Sequence, residues 1–270
     1  MEMAIDSLNF SYADKQVLHG ITFCLEKPQM VVILGPNGVG KSTLIYCIDR
    51  LLNPQYGTVL LDGQDIDEMP LKELALKVAY VPCASSAVFQ MSVIDSIMIG
   101  RQPRSAWRMN DSDMSVVHDV IEMLDIEDLM FRPISELSAG QRQKVMIARG
   151  LVQETQVLLL DEPTANLDVK HQMEVMDLMK FLVEEKEKVV LAVCHDINLA
   201  AKYADSVLLM SDGGIFASGS PAEVITAANI EKVYGVQAEV IVDEGRPHVI
   251  FKYGTSGRSS LRSSNRSSCA

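Results

Sequence analysis

Gly35-Pro36-Asn37-Gly38-Val39-Gly40-Lys41-Ser42, with Thr43 behind it, constrains this chain more than any other stretch. It fits G-x-x-x-x-G-K-[ST], a loop that wraps phosphate. The five apolar residues before it, Met30 to Leu34, read as a buried strand, and residues 42–52 read as a helix. The order strand, loop, helix has a physical purpose. Glycines let backbone N–H groups turn toward one anion, and the helix N-terminus adds partial positive charge. Lys41 is spaced to reach β- and γ-phosphates, and the Ser42 hydroxyl to ligate Mg²⁺. The stretch predicts an α/β fold that binds a nucleotide.

The rest of the composition narrows the partners. At 270 residues the chain has room for one large domain or a core with a subdomain. Its net charge of -12 argues against nucleic acid and against direct docking on anionic lipid, but not against docking on a membrane protein. The cysteines (24, 47, 83, 194, 269) are odd in number and contain no C-x-x-C pair, which predicts free thiols in a reducing cytoplasm. No signal-peptide pattern opens the sequence, and no apolar run approaches the roughly 20 residues of a membrane span. Any membrane role is therefore expected to run through a partner.

Alternating apolar residues predict two strands within 3–25, with a turn at Ser11 to Lys15 that leaves Tyr12 at a strand end. There the ring is either a flat face for adenine or a surface aromatic at a hairpin. Residues 58–62 and 78–82 read as strands and 70–76 as a short helix. From Cys83 to about Glu154 the period becomes helical, with helices over 93–99, 113–124 and 142–153. On the second of these, Met114, Val117, Ile121 and Leu124 share one face. The methionines at 91, 98, 109, 114, 123 and 130 are either core fillers or an adaptable docking surface. Strands follow at 156–160, 189–193 and 206–210, helices at 169–186 and 197–203, then a Gly213-Gly214 hairpin, a helix at 222–226 and strands at 238–242 and 248–252. The alternation predicts a mainly parallel sheet. The predicted organisation is a nucleotide-binding core in 1–82 and 155–252, a helical subdomain in 83–154, and a Ser/Arg-rich disordered tail in 253–270.

Asp161-Glu162 ends an apolar strand downstream of the phosphate loop. Asp161 is expected to hold Mg²⁺, directly or through water, opposite Ser42. Glu162 is expected to orient or deprotonate the water that attacks the γ-phosphate. Leu137-Ser138-Ala139-Gly140-Gln141 reads as a loop before a helix, either a second anion site or a helix cap at Ser138. It does not obviously serve the nucleotide of Lys41, which suggests two chains facing each other. His195 follows another strand and is either a structural histidine or a partner for the γ-phosphate or the attacking water.

These motifs, with Ala165-Asn166-Leu167-Asp168, stand in the order found in the ATPases of ATP-binding cassette (ABC) transporters, which residues 1–252 resemble. The resemblance implies an ABC-type core of mainly parallel sheet plus antiparallel β subdomain, with a helical subdomain inserted. It implies a head-to-tail dimer with two ATP molecules between the phosphate loop of one chain and Ser138, Gly140 and Gln141 of the other. It makes Tyr12 the adenine platform, Glu162 the general base, His195 the switch histidine and Asp168 a bridge across the dimer. The segments around Leu61 to Ile66 and Ser92 to Arg101 resemble importers of iron–siderophore, haem or vitamin B12 complexes, which implies a polytopic permease at the cytoplasmic face and, indirectly, an external binding protein. A soluble ABC-type ATPase of cofactor assembly and a slow-turnover ATP switch are the other readings. Two positions depart from the family. Cys83 stands where it has a glutamine that contacts Mg²⁺ and water, with Gln90 seven residues on, and Ala139 stands where it has glycine. A neutral thiol is a poor ligand for a hard cation.

Overall fold

The computed structural model describes residues 2–83, 91–105 and 109–252. Strands β1 (Met3–Tyr12) and β2 (Lys15–Leu25) form an antiparallel hairpin. Met3, Ile5, Leu8, Phe10, Leu18, Ile21 and Leu25 are its buried residues. β3 (Met30–Leu34) then enters the middle of a second sheet. All five of its residues are buried because both faces of that sheet are covered. Val31 and Ile33 pack toward the hairpin side, while Met30, Val32 and Leu34 pack into a second core formed with the helices.

Helix α1 (Lys41–Ile48) is shorter than the expected 42–52. Asp49 caps it, Arg50 turns left-handed at φ 54, and the amides of Leu51 and Leu52 both fold back to the Tyr46 carbonyl. Burial raises the Asp49 carboxyl to a pKa of about 7. β4 (Tyr56–Leu61) pairs with β1, and β5 (Gln64–Asp65) extends that sheet in the order β2-β1-β4-β5. After α2 (Leu71–Lys77), β6 (Val78–Val81) joins the second sheet.

Among the described residues, three α-helices lie between β6 and the next strand: α3 (Val93–Ile99), α4 (Asp111–Met123) and α5 (Ala139–Leu151). Each begins at a side-chain cap, Ser92, Asn110 or Ser138, that accepts an otherwise orphaned backbone N–H. On α4, Val117 and Ile121 are buried and Leu124 just beyond it as expected, but Met114 is exposed and Val120 occupies the buried face instead. Met98, Met109 and Met130 pack against the core, whereas Met123 is exposed.

A charged cluster ties these helices together. Arg101 donates to Asp113 Oδ1 from Nε (3.0 Å) and Nη2 (2.7 Å), and from Nη1 to the Val152 carbonyl (2.7 Å) and Glu154 Oε2 (2.6 Å). Arg101 and Asp113 are both buried. Removing one partner of such a pair leaves the other uncompensated, so Arg101→Ala is expected to lower the thermal unfolding midpoint by about 5 °C or more. A midpoint unchanged in scanning calorimetry would show that the cluster does not hold the helices.

β7 (Val157–Asp161), α6 (Val169–Glu184), β8 (Val189–Val193), α7 (Ile197–Tyr203) and β9 (Ser206–Ser211) complete the core alternation. β10 (Gly214–Gly219), α8 (Pro221–Val224), α9 (Ala227–Tyr234) and the hairpin β11 (Ala238–Asp243) and β12 (Arg246–Phe251) close the described chain. The large sheet runs β10-β9-β3-β8-β7-β6, parallel throughout except for β10. The carboxyl ends of β3, β7 and β8 therefore lie side by side, where a parallel sheet offers its ligand crevice. The hairpin expected at Gly213-Gly214 is the β9–β10 pair, whereas α9 is not foreseen by sequence periodicity. Among the described residues no helix is long and apolar enough to cross a membrane.

Candidate nucleotide site

The phosphate loop leaves β3 at Gly35 and ends at Gly40, which caps α1 at φ 106. A side chain at Gly40 would be strained by that angle and would bring its Cβ within 2.9 Å of Leu18 Cδ2. The β1–β2 hairpin thus presses directly on the loop. Lys41 Nζ donates to the Gly35 carbonyl (2.8 Å) and the Pro36 carbonyl (2.9 Å), holding the loop closed around its own charge. Burial lowers the Lys41 pKa, while Glu162 and Asp161 work in the opposite direction. A cation so desolvated gains strongly from an arriving phosphate.

Ser42 Oγ donates to Asp161 Oδ1 at 2.8 Å. A hydroxyl and a carboxylate side by side are a hard-oxygen set suited to Mg²⁺. The second oxygen, Oδ2, accepts from the Tyr46 hydroxyl at 3.1 Å. Tyr46 sits four residues after Ser42, hence one helical turn above it, and its ring meets Tyr80 edge-on with centroids 5.8 Å apart. Glu162 follows with φ 52, in the left-handed region that non-glycine residues rarely occupy. Its Oε1 lies 2.5 Å from His195 Nε2 at the end of β8. Sequence spacing leaves His195 to the phosphate or the water; here its ring is hydrogen-bonded to Glu162 Oε1.

These groups surround one cavity of about 510 Å³. Asn37, Gly38, Gly40, Lys41, Ser42 and Thr43 line one side of it. Glu162 and His195 line another, and Tyr12, Lys15 and Val17 a third. Tyr12 is half exposed and stands edge-on to Phe10, with ring centroids 4.8 Å apart. Pro36 and Val39 belong to the same loop without lining the cavity. Lys15, Val17 and Tyr46 are the participants that sequence reasoning missed. Only Tyr46 left a trace there, in its spacing from Ser42.

Ser138, Gly140, Gln141 and Asp168 do not border this cavity. The expectation of a loop at 137–141 is corrected: Ser138 is the N-cap and Ala139, Gly140 and Gln141 are the first turn of α5. Ser138 Oγ accepts from the Gln141 N–H (3.2 Å), and Gln141 Oε1 accepts from the Ser138 N–H (3.0 Å). The reciprocal bonds of this capping box pull the pentapeptide into the helix. Ala139 is accommodated because nothing there demands a left-handed residue. Asp168 likewise caps α6, accepting from the His171 N–H at 2.9 Å. The Cys83 thiol is raised in pKa by burial first and by Glu162 and Asp161 next, so it stays neutral. Gln90 and the tail from 253 lie outside the described residues.

Comparison with known proteins agrees with this geometry. The family model for ABC transporters matches residues 18–165. An uncharacterized ABC transporter ATP-binding protein of Methanocaldococcus jannaschii is 43% identical over 93% of this chain and 98% of its own. A siderophore transport system ATP-binding protein of Bacillus subtilis, so named as probable, is 36% identical over 89% of this chain and 88% of its own. A structure of a metal-chelate type ABC transporter in an inward-facing conformation superposes with a TM-score of 0.82 at 25% identity, covering 94% of this chain and 98% of that one. A phosphate loop at the head of a parallel sheet, a carboxylate pair two strands away and these matches have one explanation: the chain is an ATP-hydrolysing member of the ABC transporter family.

Proposed function

We propose that this chain powers an importer of metal-chelate cargo, of the iron–siderophore, haem or cobalamin kind, as a head-to-tail dimer on a membrane permease. The observation that carries the reading is a division of labour within one chain. Lys41, Ser42, Asp161, Glu162 and His195 converge at the cavity, while Ser138, Gly140, Gln141 and Asp168 do not border it. A second copy, reversed, supplies the missing side. Ser42 and Asp161 would hold Mg²⁺, which when bound would supply positive charge beside the β- and γ-phosphates. Glu162 orients a water and takes its proton as the water oxygen attacks the γ-phosphorus. The bond to the leaving oxygen breaks, giving ADP and inorganic phosphate. His195 keeps Glu162 aimed, Asn37 through Thr43 bind phosphates, and Tyr12 stacks on adenine. Cargo identity is supported by the siderophore and metal-chelate relatives. Specificity itself belongs to the permease and an external binding protein.

The division into a core (1–82 and 155–252) and a helical unit (83–154) serves the same reading. Between them runs a groove of about 440 Å³ lined by apolar Leu51, Ile99 and Met146 beside polar Gln102, Arg149 and Gln153, a mixed surface suited to a short amphipathic permease helix at the cytoplasmic face. Purification of the chain from its own cells in mild detergent tests this. A polytopic membrane protein recovered at one-to-one stoichiometry supports it, and a soluble assembly alone overturns it in favour of cofactor assembly. A neutral thiol at position 83 transmits less between groove and nucleotide than an amide does, so Cys83→Gln is expected to raise permease-stimulated turnover severalfold, by about 1 kcal/mol for one added hydrogen bond. Unchanged stimulated turnover in reconstituted vesicles would mean that another group already does this.

A further inference from the structure

The two segments that do not border the cavity are not independent of each other. Asp168 Oδ1, at the head of α6, lies 2.7 Å from His171 Nδ1 in addition to its bond with the His171 backbone. The far side of the same imidazole covers Gly140 at the head of α5. A Cβ built on Gly140 would stand 2.7 Å from His171 Cδ2 and 2.9 Å from Cγ. Gly140 has ordinary helical backbone, so the ring, not a backbone angle, is what excludes a side chain there. One turn further along both helices, Lys144 Nζ meets Glu174 Oε2 at 3.4 Å. The imidazole is therefore a spacer with one edge bonded to Asp168 and one face on Gly140.

We propose that His171 is a positioning residue that fixes the Asp168 turn to the first turn of α5, so that both segments reach the partner copy's nucleotide in one geometry. This rests on the dimer reading above. Groups held in their bound arrangement before association lose less freedom when the second chain arrives. His171 touches neither nucleotide nor water in this role.

The test uses the full chain carrying Glu162→Gln, in which turnover is blocked, and reads ATP-driven dimerisation by sedimentation and nucleotide affinity by fluorescence titration. Adding His171→Ala, which spares the backbone half of the cap, is expected to weaken dimerisation about tenfold, with affinity for the first nucleotide unchanged within about twofold. His171→Asn, whose amide nitrogen takes the place of Nδ1, is expected to recover part of that loss. On the nucleotide-free chain, Gly140→Ala is expected to lower the unfolding midpoint, and the pair Gly140→Ala/His171→Ala to restore most of it, a coupling that only direct contact produces. The proposal is overturned if His171→Ala dimerises like its parent, if it loses nucleotide affinity by the same factor, or if the two substitutions act additively. If the parent itself does not dimerise with ATP, the dimer reading fails and this proposal with it.

Discussion

Glu162→Gln is expected to lower ATP turnover by at least about 10²-fold while ATP affinity stays within about threefold of the parent, the scale on which a general base contributes. The substitution is nearly isosteric, so the left-handed turn at Glu162 and the neighbouring β7–β8 ends are kept. What it removes is the proton acceptor. Glutamine still accepts a hydrogen bond from His195 through its carbonyl oxygen, so the 2.5 Å contact survives in altered form. Single-turnover phosphate release, paired with a binding titration, separates the two effects. Turnover close to that of the parent would move the base elsewhere and leave the strained backbone at this position without a catalytic reason.

Lys41→Ala is expected to act earlier, on binding. Hydrogen bonds to charged groups contribute about 1.5–3 kcal/mol each, so losing the lysine's phosphate contacts should weaken ATP binding by roughly 10- to 100-fold and leave turnover undetectable. Stability should change little. Lys41 is buried in the free chain against two carbonyls, and burial works against its charge. Deleting it removes both the bonds and the desolvation cost. Nucleotide titration beside a thermal melt distinguishes this from unfolding: an altered affinity with an unaltered midpoint fits, and a collapsed midpoint would make Lys41 a folding residue.

Local signals explain what was legible in the sequence. β3, β7 and β8 were visible as continuous apolar runs because a sheet covered on both faces buries every residue, as the exclusion of Val31, Leu159 and Leu191 from solvent shows. α3 was visible from Ser92 onward because its cap and its period agree. The phosphate loop is itself local, eight consecutive residues whose conformation is written in their glycines. Features that depend on approach in space were not legible. The imidazole of His171 lies on Gly140 across two helices distant in sequence, and the Tyr46 hydroxyl reaches Asp161 across the fold. α9 was missed because eight residues bury only Ile230 and Val233, too few to establish a period. The start of α5 was read as a loop because Ser138 and Gly140 are weak helix formers, and the reciprocal Ser138–Gln141 bonds fix the first turn there.

The central claim, that one chain's site is completed by a second chain, is tested most directly by sedimentation velocity on the Glu162→Gln chain with and without ATP and Mg²⁺. The account expects a monomer without nucleotide and, with it, a dimer that retains two ATP per pair and is lost when Ser138 is replaced by a bulky residue such as arginine. A species that stays monomeric at saturating ATP, or a dimer indifferent to both nucleotide and Ser138, would contradict it.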